Sequence, residues 1–261
     1  MSIIPARPML LAIAICWTTA SAPAMAAGKC PVTFDQLKKT LKAAVKPGGG
    51  PSNGGLDNNE WAAAVTRDGT ICALTYSGDK ATDQWPGSRA IAAEKAFTAN
   101  GLSLDKAALS TANLWAPSQS SGPLYGVTLS WPASADVLYN GAATDYGTEN
   151  DPMTNKVLGG IITFGGGLPL YDGSGVVGAL GVSGDTSCAD HNVAWRMRMA
   201  LGLDKVPGGV SPDKKDQIIY DLGADGRSAS GYGHPTCGKQ EAEVGRQIGA
   251  AAGGQVDQRR E

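Results

Sequence analysis

The apolar residues of this chain switch repeatedly between helical and strand spacing, and that alternation limits the fold more than any other feature. Phe34, Leu37, Leu41, Ala44 and Val45 recur at helical spacing. Thr33 with Gln36 three residues on has the spacing of a capping box. Pro47 and the glycines up to Gly55 cannot continue that helix and read as a loop. Two strand-like runs follow, Trp61–Thr66 and Thr70–Tyr76, with Asp68-Gly69 between them as a hairpin turn. A second helix is predicted from Ser88 to about Ala99, where Ile91, Lys95 and Thr98 recur; Asn100-Gly101 closes it. Order resumes at Val157–Phe164. After Gly165-Gly166-Gly167, the runs Leu168–Tyr171 and Val176–Val182 flank a turn at 172–175. A third helix is predicted from Ser187 to about Leu201, with Val193, Ala194, Met197, Ala200 and Leu201 on one face and Gly202 as its stop. Helix, hairpin, helix, hairpin, helix predicts an α+β domain built on an antiparallel sheet.

Two stretches lie outside this pattern. Residues 102–156, rich in Pro, Ser, Gly and Asn, read as irregular structure wrapped over the core. Residues 204–261 are turn-rich, and from Gly249 onward are expected to form a mobile tail.

The N-terminus carries an export signature. Arg7 precedes an apolar run over residues 9–17, and a small, polar stretch ends in Ala24-Met25-Ala26, the pattern a signal peptidase cuts after. The run is far shorter than the about 20 residues a membrane-spanning helix needs. Residues 1–26 are therefore read as a secretory signal peptide, and the mature chain as periplasmic or secreted. No later stretch suggests a membrane span. The chain carries 22 basic and 24 acidic residues with no basic stripe, which argues against nucleic acid as a partner. Glycine is abundant, 36 of 261 residues, and without low-complexity runs these mark turns and close backbone approaches.

Beyond the leader four cysteines remain, Cys30, Cys72, Cys188 and Cys237. In an oxidising compartment they are expected to form two disulfides, and pairing within each half of the chain favours Cys30–Cys72 and Cys188–Cys237. Other pairings, and free buried thiols, remain open at this point.

Several motifs match only in letters. Gly173-Ser174-Gly175-Val176-Val177-Gly178 has the G-x-G-x-x-G pattern, but a strand-like run follows where a dinucleotide fingerprint requires a helix. The Gly165–Gly167 triplet leads into Leu168-Pro169 and is no P-loop. Gly181-Val182-Ser183-Gly184-Asp185 lacks the last glycine of a nucleophile elbow.

Taken in order, several segments resemble the GlcG/HbpS-like proteins, the family also labelled as a haem-degrading domain. They are Gly165–Leu170, Asp172-Gly173, Val177–Gly184 and Asp190, preceded by Phe34–Val45, Ala64–Gly69 and Ser88–Ala99. The resemblance covers roughly residues 31–203. It implies a profilin-like sheet flanked by helices, assembly into homo-oligomers, and binding of haem or a related planar tetrapyrrole. Some secreted members act as partners of sensor systems. The enlarged middle, the four cysteines and the C-terminal extension depart from the family pattern. The expected division is a leader (1–26), a GlcG/HbpS-like domain (27–203) and an extension (204–261).

The two histidines each lie three positions from a cysteine, in Cys188-x-x-His191 and His234-x-x-Cys237. One reading is a Cys2His2 zinc site. The other is a Cys188–Cys237 disulfide stapling the extension to the third helix, which would bring both imidazoles into one neighbourhood. His191 and His234 are then the candidate ligands for haem iron or a metal ion. Lys95, in the second-helix motif, and Gly166 and Gly167 complete the candidate ligand-binding set. Lys95 otherwise reads as a residue of a solvated face, and the glycines as points of close backbone passage. Met197 and Met199 are weaker axial candidates. The favoured function is non-catalytic, extracytoplasmic binding of haem or a similar planar ligand. The alternatives are an enzyme acting on haem or a small metabolite, and a ligand-free module partnering a sensor system.

Overall fold

A computed structural model describes residues 28–47 and 52–253; the leader and the last eight residues lie outside the described residues. Helix α1 (Phe34–Val45) begins in the capping box its sequence announces. Thr33 Oγ1 accepts the Gln36 amide at 3.2 Å, and Gln36 Oε1 accepts the Thr33 amide at 2.9 Å. Leu37, Leu41, Ala44 and Val45 form its buried face.

Strands β1 (Trp61–Thr66) and β2 (Ile71–Tyr76) turn at Asp68-Gly69, where Gly69 takes φ +87° and Asp68 Oδ1 accepts the Thr70 amide at 3.0 Å. Strands β3 (Gly167–Tyr171) and β4 (Val176–Ser183) form the second hairpin. The sheet order is β2-β1-β4-β3, antiparallel throughout. The strand period of two sorts side chains to opposite faces. Ala62, Ala64, Leu180 and Val182 pack beneath α1 and helix α3 (Ser187–Ala200). Trp61, Ala63, Val65 and Ala179 pack against helix α2 (Ser88–Gly101).

Helix α2 lies unusually close to the sheet, for a reason written in glycine. Gly167 and Gly181 are cross-strand partners. A Cβ at Gly181 would stand 1.9 Å from the Ala92 carbonyl oxygen, and one at Gly167 would stand 2.5 Å from that of Lys95. Ala92, Ala93, Ala96 and Ala99 fill the rest of the contact.

The insertion at 102–156 contributes only short helical turns, at Trp115–Ser118, Val127–Ser130 and Ala135–Leu138, and wraps over α2. Arg89 anchors it through an ion pair with Asp151, a 2.8 Å bond to the Leu138 carbonyl and a stack 3.8 Å above the Tyr146 ring. The run Val157–Phe164 is extended but joins no strand. It is fixed instead by Lys156 O, which accepts from Ile71, and by Thr98 Oγ1, which accepts from Ile162.

The expected mobile tail needs correction in its first residues. Ala250, Ala251 and Ala252 are buried, and strand β6 (Ala251–Ala252) pairs in parallel with β5 (Ile218–Ile219). This small ladder and helix α4 (Glu241–Gln247) close over α3. Among the described residues no helix is long and apolar enough to cross a membrane.

Candidate functional site

The polar residues of the core gather where β4 ends and α3 begins. Lys95 reaches past the end of the sheet from α2. Its Nζ donates to Asp190 Oδ2 at 2.6 Å and to the Val182 carbonyl at 2.9 Å. The structure corrects the solvated-face reading, because Lys95 is wholly buried. Asp190, in the first turn of α3, also accepts the amides of Gly184 (3.1 Å) and Asp185 (2.9 Å). Burial pushes its carboxyl up to about 6 even beside the Lys95 ammonium. Glu60, immediately before β1, points one carboxylate oxygen into the same region without a partner. Burial, then the charges of Asp190 and Asp185, hold its pKa well above the ordinary value. The single Lys95 cation is already matched by Asp190, so a second carboxylate here would be an uncompensated buried charge.

Gly165, Gly166 and Gly167 run alongside. Gly166 holds φ +116°, and a Cβ there would stand 2.5 Å from the Val182 carbonyl oxygen and 2.7 Å from Lys95 Nζ. Gly167 is taken up by the α2 contact. Both glycines are therefore filled by protein atoms in this state.

The four cysteines pair as Cys30–Cys72 and Cys188–Cys237. The second bridge takes both thiolates that a Cys2His2 zinc site would need. Among the described residues no group of three or more His, Cys, Asp or Glu side chains is placed to hold a metal ion.

The two imidazoles share one neighbourhood but differ in state. His234 Nδ1 lies 2.7 Å from the Pro235 carbonyl oxygen and so carries the proton; its Nε2 accepts the Gly165 amide at 3.3 Å. Both nitrogens are committed, and burial pushes the pKa down to about 4. His191 is wholly buried and stacked on Trp195 at 6.1 Å; the Ala250 backbone faces its ring as a weak hydrogen-bond partner that falls short of full geometry. Burial, followed by the positive charge of Arg198, lowers its pKa to about 3. The backbone of Ala250 in the extension and that of Gly165 stand over it. A buried polar group left poorly satisfied is rare and marks a place where strain or function is stored.

A separate groove lies between α1 and α3. It encloses about 410 Å³, within the range typical of small-molecule sites. Ala43, Ala44, Pro47 and Ile248 make it apolar; half-exposed Met199 and the guanidinium of Arg196 line it too. Arg196 is held by Asn53 Oδ1 at 3.1 Å and the Ser52 carbonyl at 3.2 Å. Met197, by contrast, is core.

Sequence reasoning missed Glu60 and the role of Asp190. A polar residue at the edge of an otherwise apolar strand was the available signal for the first. Asp190 was visible only as part of a family pattern.

Three solved structures are similar to this chain. Protein ORFY of Klebsiella pneumoniae is 22% identical, covering 69% of this chain and 96% of its own, with a TM-score of 0.45. PduOC, determined as a haem complex, is 20% identical over 65% of this chain and 94% of its own, with a TM-score of 0.43. A double mutant of HbpS from Streptomyces reticuli is 21% identical over 70% and 99%, with a TM-score of 0.39. No curated protein matches the chain. The family model described as haem degrading protein HbpS-like matches residues 54–197, more than half the chain, and this protein belongs to the HbpS-like family.

Proposed function

We propose that this protein binds haem or a related planar tetrapyrrole outside the cytoplasm and holds it without turnover. The observation that carries the reading is the HbpS-like family match over residues 54–197. Two structural features support it. The chemistry of His191 suits haem iron: a pKa near 3 keeps the ring neutral, and the ring is held only by a weak contact with the Ala250 backbone. Lys95 and Asp190, both buried and tied to each other and to the backbone, favour holding a ligand over general acid–base work.

His191 would ligate the iron once the backbone of Ala250 and Gly165 moves aside. A bound haem would supply a redox-capable iron and a strong chromophore. His234 spends both nitrogens on backbone partners, so the ligand role falls to His191. The α1–α3 groove supports a second placement. There Met199 would offer a thioether to the iron, and Arg196 a cation to a propionate.

The two disulfides and the Ala24-Met25-Ala26 pattern support export. Exposed Tyr125, Leu129, Trp131 and Tyr139 on the insertion support self-association into a homo-oligomer.

The test is a hemin titration of the mature, disulfide-intact protein followed at the Soret band. Saturation near one haem per chain is expected, with the band shift lost in His191→Ala and kept in His234→Ala. Loss in Met199→Ala instead moves the ligand to the groove. Absence of any saturable shift in the unmodified protein overturns the haem reading. Biliverdin released in the presence of a reductant overturns its non-catalytic part.

A further inference from the structure

We infer that the Cys188–Cys237 bridge is a thiol-exchange site, open to small thiols or to a cysteine of a partner protein, and more than a structural staple. The argument is independent of haem binding. Cys188 is the second residue of α3, a helix of 14 residues, and is wholly buried. Cys237 is half-buried, with exposed Thr236 and Gly238 on either side. An incoming thiolate therefore meets Cys237 Sγ and not Cys188.

The surroundings of the two sulfurs divide their roles. Cys237 Sγ accepts the Cys188 backbone amide at 3.3 Å and lies 3.5 Å from the Ser187 hydroxyl, at the positive end of the α3 dipole. These contacts are weak for a disulfide sulfur and strong for a thiolate, so they favour the reduced state. Cys188 Sγ instead lies 3.6 Å from the Pro235 carbonyl oxygen; His234 Nδ1 is 4.0 Å from that sulfur, but its proton goes to the same carbonyl at 2.7 Å, so the site favours a protonated thiol. One sulfur is built to carry negative charge and the other to hold a proton.

The exchange balances in two steps. A thiolate RS⁻ attacks Cys237 Sγ, and the S–S bond breaks. Its electron pair leaves on Cys188 Sγ, which takes a proton from water. A second RS⁻ attacks the R sulfur of the mixed disulfide, expelling RSSR and leaving Cys237 as the stabilised thiolate. The bridge gains two electrons, and two thiols are oxidised to one disulfide. The same steps in reverse make the oxidised protein an oxidant of dithiols.

The Cys30–Cys72 bridge is the internal control. Cys30 precedes α1 rather than beginning a helix, and its Sγ faces the Val32 carbonyl oxygen at 2.9 Å, which would repel a thiolate.

The experiment exposes the mature oxidised protein to graded dithiothreitol without oxygen, quenches with an alkylating agent, and maps both bridges by mass spectrometry. Cys188–Cys237 is expected to open at least about tenfold more readily at equilibrium than Cys30–Cys72, a separation of about 30 mV for a two-electron couple. Glutathione should be trapped on Cys237, and Ser187→Ala should narrow the separation. Equal or reversed opening of the two bridges, or an adduct formed on Cys188, overturns the inference.

Discussion

Replacing His191 with phenylalanine should make the ligand-free protein less sensitive to acid. The wild-type imidazole is buried beside Trp195, and its pKa falls from the ordinary 6.5 to about 3 because burial and Arg198 both disfavour a charged ring. In the unfolded chain the same ring takes a proton as pH drops below its ordinary value. A depressed pKa of this kind stabilises the fold fully above the unfolded value and is lost as pH falls through the window down to about 3. Between about pH 7 and about pH 5 the loss from this one residue is about 2 kcal/mol, at about 1.4 kcal/mol per pH unit below the unfolded value. Phenylalanine cannot protonate, so the variant escapes it. Relief of the poorly satisfied ring nitrogens and the added volume of the new ring shift stability in opposite directions at every pH. The readout is therefore the growth of the difference between the two proteins, not its starting value. Asp190 and Glu60, with raised pKa values, bind protons in the folded state and act with the opposite sign, but both are present in both proteins. Urea unfolding followed by tryptophan fluorescence near the two pH values gives the increment directly. A gap that stays constant within about 0.5 kcal/mol would show that the ring is hydrated or partnered, and the case for His191 as a spare ligand would fall with it.

Two further predictions test the frame around the site. Lys95→Met strands Asp190 among its two backbone amides and should cost about 3–5 kcal/mol in urea unfolding. A loss under about 1 kcal/mol would show that the pair contributes little. Gly181→Ala places a methyl 1.9 Å from the Ala92 carbonyl oxygen, a contact that only displacement of α2 can relieve. It should lower stability by about 1–3 kcal/mol or more, and an unchanged urea midpoint would refute the close seating of α2.

The parts of the fold legible in the sequence are those that local chemistry decides. Thr33 and Gln36 announce α1 because a capping box closes within four residues, and Asp68-Gly69 announces its hairpin because the turn itself needs a glycine at positive φ. The disulfide pairing was reachable from the even number of cysteines beyond the expected leader and from chain proximity. Lys95 was not, because its partner Asp190 lies 95 residues away. Its place on a helix suggests a solvated face only if that helix has one, and the insertion, with Arg89 bound to Asp151, covers the face of α2 turned away from the sheet. The run Val157–Phe164 is apolar enough for a strand, yet its Ile162 amide goes to Thr98 and its Leu158 carbonyl accepts from Ser134, so it lies across α2 unpaired. Ala250–Ala252 looked like a tail because glycines flank it, but small side chains are what a buried ladder against β5 requires.

The candidate site shows the same division more sharply. The spacings Cys188-x-x-His191 and His234-x-x-Cys237 pointed to one shared neighbourhood, because one covalent bridge brings both histidines toward it. They could not say which imidazole stays free. That is decided by the Pro235 carbonyl and the Gly165 amide, backbone groups that occupy both nitrogens of His234, whereas His191 has only the weak Ala250 contact. The bridge that holds the extension in place is also the one whose surroundings favour its reduction. The extension's Ala250 stands over His191, and Cys237, which ties that extension to α3, belongs to the same extension.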